Sequence, residues 1–285
     1  CKEKNIAFIE DAAQSLGSSL NDVRAGSIGD ISTLSFNANK VIAGVAGGGA
    51  ILTDDKDKAE LFKKLRRHGN NEVLGYNSKM LLLNAEFINF RLKRMKEWQA
   101  KRQEIAKQYD NQLKDYVTIQ STTNGLNHNY HKYVIRLQNK EVRDKVKEKL
   151  GAKVHYDKPL SENVMYNSIN HRKDKTFISK VICDTILTLP LHPYMTQAEV
   201  DKIINTILII LEQDNDKFVD SMKKIIGEDI FDKSLINETT EDIYDYIVEK
   251  TYQWPEYIED VDFKDKRKLK IAFNKFYENI TTNTK

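Results

Sequence analysis

Long apolar runs are missing from this 285-residue sequence. No stretch approaches the roughly 20 consecutive apolar residues of a spanning helix, so the expectation is a soluble protein without a membrane partner. Cysteine is scarce: Cys1 and Cys183 show neither the paired spacing of a zinc site nor a disulfide framework, which fits a reducing, cytoplasmic setting and no metal. Neither sign of charge dominates. The 45 basic and 42 acidic residues leave +3, interspersed along the chain, and no basic tract argues for nucleic acid. Gly44, Gly47, Gly48 and Gly49 lack the G-x-G-x-x-G spacing, and no phosphate-loop signature occurs, so this cluster is not a nucleotide fingerprint. Repeats, low-complexity tracts and a signal peptide are also lacking, and the opening residue is Cys1, not methionine, which reads as an incomplete chain.

What is present alternates between short apolar runs and helical stripes, the pattern of an α/β sheet. Residues 5–9 read as a buried strand ending at Glu10 and Asp11, with further strands over 31–36 and 49–53. Asp54 or Asp55 can cap a helix through Ala59, Phe62 and Leu65 that stops at Gly69. From Leu82 to about Leu113 one long helical pattern runs without proline or glycine and could connect two domains. Strands over 133–137 and 152–156 flank a helix from Glu141 to Leu150 that Gly151 ends. Residues 187–193 should be extended around Pro190 and Pro193, and Thr196 with Glu199 has capping-box spacing ahead of a helix through Leu211. After Gln213 the chain becomes charged and aromatic. Helical spacing there, near 239–247 and 269–280, predicts a helical appendage over 213–285.

Three segments carry chemistry. Glu10-Asp11-Ala12-Ala13-Gln14 offers a carboxylate and an amide at a strand's carboxyl end, where ligands collect in open α/β sheets. Ser35-Phe36-Asn37-Ala38-Asn39-Lys40 brings a hydroxyl and an amine, and the glycine cluster behind it supplies a tight turn. An amine for a Schiff base, an acid for a ring nitrogen and small polar groups for a phosphate are the parts that hold and use pyridoxal phosphate (PLP). Taken singly, each has an ordinary role: a surface lysine, a capping aspartate, a helix amide, a strand serine.

In combination they resemble a known family, the DegT/DnrJ/EryC1/StrS sugar aminotransferases. The resemblance also rests on Gly29-Asp30, Gly75-Tyr76-Asn77-Ser78, His131 to Arg136, Val154-His155-Tyr156 and Leu189-Pro190-Leu191-His192-Pro193, in family order from residue 5 to about 212. It implies the aspartate aminotransferase-like fold of type I PLP-dependent transferases. Residues 1–81 would be the C-terminal portion of the large domain, 82–212 a small α+β domain and 213–285 a helical tail. Family members begin with a further segment, carrying a Gly-Thr phosphate loop and a ring-stacking aromatic, that has no counterpart here.

By the same resemblance Lys40 binds the cofactor and shuttles the proton. Asp11 faces the ring nitrogen, Gln14 the ring oxygen and Ser35 the phosphate, while Asn77 reaches the phosphate of a neighbouring subunit in a homodimer. His155, Tyr156 and His192 would line the substrate region, each being as readily a structural residue. Relatives with histidine in place of the lysine act as dehydratases, and Lys40 argues against that branch. The implied reaction is amination of a nucleotide-linked keto sugar for a surface polysaccharide or glycan, with glutamate as donor. The competing expectation is a catalytically silent, truncated member that acts as an interaction protein.

Overall fold

The computed structural model describes residues 1–166 and 176–226, and its chain is mixed α/β. Strands β1 (Ile9–Asp11), β2 (Ser19–Leu20), β3 (Val23–Arg24), β4 (Ile31–Ser35) and β5 (Gly49–Leu52) come first. β4 is central in the first sheet, order β1-β4-β5. β1 runs parallel to it with Asp11 opposite Thr33, and β5 antiparallel with Gly49 opposite Ser35. β2 and β3 are joined by Asn21 and Asp22, both at positive φ (48° and 64°). That is the backbone a two-residue hairpin requires, and asparagine and aspartate tolerate it.

Helix α1 (Lys56–Leu65) begins where the sequence predicts: the Asp55 carboxylate accepts a hydrogen bond from the Lys58 amide at 3.0 Å. Next come α2 (Leu82–Leu92) and α3 (Met95–Leu113). The single helix expected over 82–113 is therefore two. At the junction the Arg94 amide bonds back three residues to the Arg91 carbonyl at 3.0 Å, and this tighter turn interrupts the helix without proline or glycine. Phe36, Ile42, Ile88 and Trp98 form a buried cluster, with Leu16, Leu34, Met80 and Met95 packed against it.

Strands β6 (Leu126–Asn127) and β7 (Tyr133–Arg136), helices α4 (Lys140–Leu150) and α5 (Phe177–Thr185), strand β8 (Ile186–Leu189) and helix α6 (Gln197–Ile226) complete the described chain. β6 pairs with β2, and β7 pairs with β8. Residues 152–156 form no second strand beyond a single bridging residue, Lys153, so the expected β-α-β closes through β8 instead. Gly151 ends α4 in the left-handed conformation (φ 58°). At the start of α6 the reciprocal box is formed: the Thr196 amide donates to Glu199 Oε2 at 2.8 Å and the Glu199 amide to Thr196 Oγ1 at 3.3 Å. The helix then runs unbroken past residue 213, where composition alone suggests a boundary. The patterns at 239–247 and 269–280 lie outside the described residues.

The described residues divide into two compact units, one of Cys1–Gln112 with Ile119–Val134 and Thr188–Val200, the other of those in Leu113–Thr118, Ile135–Leu187 and 201–226. Residues 82–112 thus lie with the first. In the second unit, Val142 and Val146 of α4 are fully buried, and the Arg143 guanidinium, also buried, donates to the Cys183 carbonyl at 3.1 Å. Among the described residues no helix is long and apolar enough to cross a membrane.

One expectation fails in the first unit. The apolar run 5–9 is not buried: Ile6 is 60% and Ile9 67% exposed. Among the described residues β1 is a three-residue edge strand with one flank unpaired, and Ile9 lies on an uncovered face.

Candidate functional site

Adjacent residues of a strand point to opposite faces, so Glu10 and Asp11 cannot share one task. Glu10 turns toward the segment between β3 and β4. Its carboxylate accepts the amides of Gly26 (2.7 Å), Ile28 (2.9 Å) and Gly29 (3.2 Å) and the Ser32 hydroxyl (2.9 Å). Partial burial pushes this carboxyl up, but the three amides and the hydroxyl outweigh it and hold the group below the ordinary glutamate value. Gly29 must be small here: a Cβ would lie 2.9 Å from the Glu10 side chain and 2.6 Å from the Ile31 carbonyl. Glu10 is a structural clasp, a task that the sequence, which singles out Asp11, does not announce.

Asp11 is exposed, and its Oδ1 accepts the Ala13 amide at 3.0 Å, which orients the carboxylate at the start of the following turn. Ser35 lies two positions beyond Asp11's pairing partner on the neighbouring parallel strand. Strand spacing and rise place their Cα atoms about 8 Å apart at the same carboxyl edge. Ser35 Oγ accepts the Asn37 amide at 3.3 Å, so its own hydrogen remains to donate outward.

Lys40 sits in the loop 36–48 that links β4 to β5. The loop's neck is closed by the Phe36 amide on the Gly48 carbonyl and the Gly44 amide on the Phe36 carbonyl, both at 2.8 Å, and the Lys40 amide bonds to the Asn37 carbonyl at 2.9 Å. Lys40 itself is half-buried, and the next three residues, Val41, Ile42 and Ala43, are buried. Ile42 belongs to the apolar cluster and anchors the loop directly behind the lysine. Gly48, at φ 125°, closes it: a Cβ there would lie 2.7 Å from Met80.

Gln14 is exposed, one turn past Asp11, and its backbone is held from a distance. Buried Asn129 donates from Nδ2 to the carbonyls of Gln14 (2.9 Å) and Leu16 (3.0 Å), accepts the His131 amide on Oδ1 (2.9 Å), and gives its own amide to Ser18 Oγ (3.0 Å). Asn129→Ala would strand the Gln14 and Leu16 carbonyls and the His131 amide, while the backbone bond to Ser18 would remain. It is expected to lower unfolding free energy by about 2 kcal/mol, read from urea denaturation, and a change near zero would remove the strap.

Asn77 is exposed on a segment zipped antiparallel to the end of α1: it bridges Arg67, and the Tyr76 amide bonds the Leu65 carbonyl at 2.7 Å. Gly75 permits this approach, because a Cβ would lie 2.6 Å from the Leu65 carbonyl and collide with the Gly69 amide. His192, also in the first unit, is exposed and accepts the Tyr194 amide on Nδ1 at 3.3 Å. His155 and Tyr156 are exposed in the second unit. The sheet therefore gathers Asp11 and Ser35 at one edge with the Lys40 loop leaving it, while Asn77, His192, His155 and Tyr156 stand on other segments.

The donor set at that edge fits PLP. It offers an oriented carboxylate, a serine hydroxyl with its hydrogen left to donate and a half-buried lysine on a loop closed at Gly48. The sequence pattern does not announce Asn84, Arg91 or Asn129, nor the clasping task of Glu10. For Asn84 a signal existed, since it is a lone asparagine in the apolar stretch Leu81-Leu82-Leu83-Asn84-Ala85.

Comparison with known proteins shows the family. The family model described as the DegT/DnrJ/EryC1/StrS aminotransferase family matches residues 1–208. A dTDP-3-amino-3,6-dideoxy-alpha-D-galactopyranose transaminase from Aneurinibacillus thermoaerophilus is 28% identical over 72% of this chain and 58% of its own. A UDP-2-acetamido-2-deoxy-3-oxo-D-glucuronate aminotransferase from Pseudomonas aeruginosa is 31% identical over 70% of this chain and 56% of its own. The crystal structure of a DegT DnrJ EryC1 StrS aminotransferase from Brucella abortus superimposes with a TM-score of 0.66 at 28% identity, covering 72% of this chain and 57% of that one. The chain thus spans less than three-fifths of the length of these relatives.

Proposed function

Because the chain belongs to the DegT/DnrJ/EryC1/StrS aminotransferase family, whose cofactor is PLP, we propose that it contributes the lysine-bearing site of an aminotransferase acting on a nucleotide-linked keto sugar. The observation that carries the reading is the convergence of Asp11, Ser35 and the Lys40 loop at one carboxyl edge of a parallel strand pair. The relatives named above are transaminases of dTDP- and UDP-linked sugars, which supports the substrate class without choosing a nucleotide.

When bound, PLP supplies an aldehyde that condenses with amines and a ring that withdraws electrons. Lys40 would hold it through Nζ and then accept and return a proton at that atom, one group serving as nucleophile and base. The Asp11 carboxylate would keep a proton on the ring nitrogen. Ser35 would donate its hydroxyl hydrogen to a phosphate oxygen. Gln14, on the turn that Asn129 fastens, would orient the ring through its amide.

Glutamate as donor, a cytoplasmic location, a role in surface polysaccharide or glycan synthesis, and the roles of His155, Tyr156 and His192 at the substrate belong to the same proposal. So does a homodimer in which Asn77 serves the neighbouring site. Exposed Leu74 and Tyr76 beside Asn77, and Leu81, Leu82 and Leu83 just after it, form an apolar surface that a second copy would cover.

The test is to express the full-length protein, add PLP, glutamate and UDP- or dTDP-linked 3-keto sugars, and follow conversion of ketone to amine by mass spectrometry. Amino sugar together with 2-oxoglutarate is the expected result. Failure to bind PLP at all would instead favour the silent, interaction-only member.

A further inference from the structure

The Lys40 loop is held from outside as well as by its own neck. The geometry points to Asn84 and Arg91 of α2 as positioning residues that set the back half of this loop, so that Lys40 is presented from a fixed base. The inference deepens the proposed function and rests on that reading for its catalytic meaning.

Three backbone groups between Ala43 and Gly47 find their partners on one helix. Asn84 Nδ2 donates to the Gly47 carbonyl at 2.8 Å, Asn84 Oδ1 accepts the Ala46 amide at 3.3 Å, and an Arg91 terminal nitrogen donates to the Ala43 carbonyl at 2.9 Å. Residues seven apart lie two turns along one helical face, so both side chains reach the loop from one rigid support. Asn84 is only 6% exposed. A buried amide presenting one donor and one acceptor to successive residues reads the loop as a strand partner would.

The fit is close on both sides. A Cβ on Gly44 would lie 2.6 Å from Asn84 Oδ1 and collide with the Gly47 carbonyl, so the glycine admits the asparagine. The Arg91 guanidinium is held over the rings of Phe87 at 5.2 Å and Trp98 at 5.4 Å, which fixes its direction before it meets Ala43. α2 thus grips the loop at Ala43, Ala46 and Gly47, while Lys40 stands ahead of that grip, on the far side of buried Val41 and Ile42.

Loss of the grip should loosen Lys40 without removing any group that touches the cofactor. Two variants test this in the full-length protein. Asn84→Ala deletes both contacts, and Arg91→Met keeps an apolar stem over the rings but deletes the donor to Ala43, so one remains informative if the other does not fold. Two readouts are used.

In cofactor-free protein, amide hydrogen exchange over residues 43–48 is expected to rise at least tenfold in either variant, with exchange in β1 and β4 unchanged. In PLP-loaded protein, the visible band of the lysine-bound cofactor should shift its pH midpoint, and kcat should fall more than KM rises. Unchanged exchange at 43–48 would overturn the grip itself. Faster exchange with an unshifted midpoint and unchanged kcat would overturn its bearing on Lys40. If wild-type protein shows no such band, the aminotransferase reading fails, whereas the exchange experiment still decides whether α2 holds the loop.

Discussion

Lys40→Ala in the full-length protein is expected to reduce amination of a keto-sugar nucleotide by roughly 10⁴-fold, the upper range for loss of a positioned acid or base. It should also abolish the visible absorbance of lysine-bound PLP. The size of the effect follows from the double duty of Nζ as tether and proton carrier, which no neighbour can assume: the adjoining Val41, Ile42 and Ala43 are buried and carry no titratable group. Lys40→Arg keeps the charge but neither condenses with an aldehyde nor gives up its proton near neutral pH, so it should not rescue turnover. Because the loop is anchored by Ile42 and closed by Phe36, Gly44 and Gly48, the unfolding midpoint of Lys40→Ala should stay close to that of wild type. An undiminished rate or an unchanged spectrum would remove Lys40 from the chemistry.

The second large effect concerns stability. Glu10→Ala removes the acceptor of three amides and one hydroxyl and leaves the Gly26, Ile28 and Gly29 amides without it, a loss of about 3 kcal/mol. Differential scanning calorimetry of the chain should register this as a clear drop in the first unit's transition, and a drop no larger than that of an exposed glutamate variant would refute the clasp.

The pH dependence has a definite sign. In the folded chain, despite partial burial, the amides and the Ser32 hydroxyl hold the Glu10 carboxyl below its ordinary value, so the folded state binds fewer protons than the unfolded one. Its contribution is complete above the unfolded value and is lost as pH falls through the lower folded value. Glu10→Gln, which cannot ionise, should therefore be less stable than wild type at pH 7, and the difference should shrink below pH 4.

What could be read from the residues alone was local. Asp55 as a cap, Thr196 with Glu199 as a box, Gly151 as a terminator and the strands beginning at Ile31 and Gly49 depend on neighbours within about four positions. What failed depended on distant ones. The run 5–9 looks like a buried strand, yet burial is decided by what lies across the sheet, and among the described residues nothing covers Ile9. The break at Lys93 and Arg94 arises from a change of hydrogen-bond register that no helix-breaking residue announces. Two-residue strands such as β2 and β6 are too short to show any period.

For the site, the sequence by itself determined the chemistry on offer: one lysine after a serine-headed segment, an acid pair and an amide ahead of it, and glycines behind, in the order of one family. The family resemblance already singles out Asp11 for the ring nitrogen, and only the tertiary structure decided what Glu10 does instead. Glu10 and Asp11 are chemically near-equivalent and adjacent, but strand alternation turns the first onto the amides of residues 26–29, which occupy it, and leaves the second at the sheet edge beside Ser35. The same holds for Asn84 and Asn129, whose partners lie 37 and 115 residues away, because such a contact exists only once the chain has folded both segments into place.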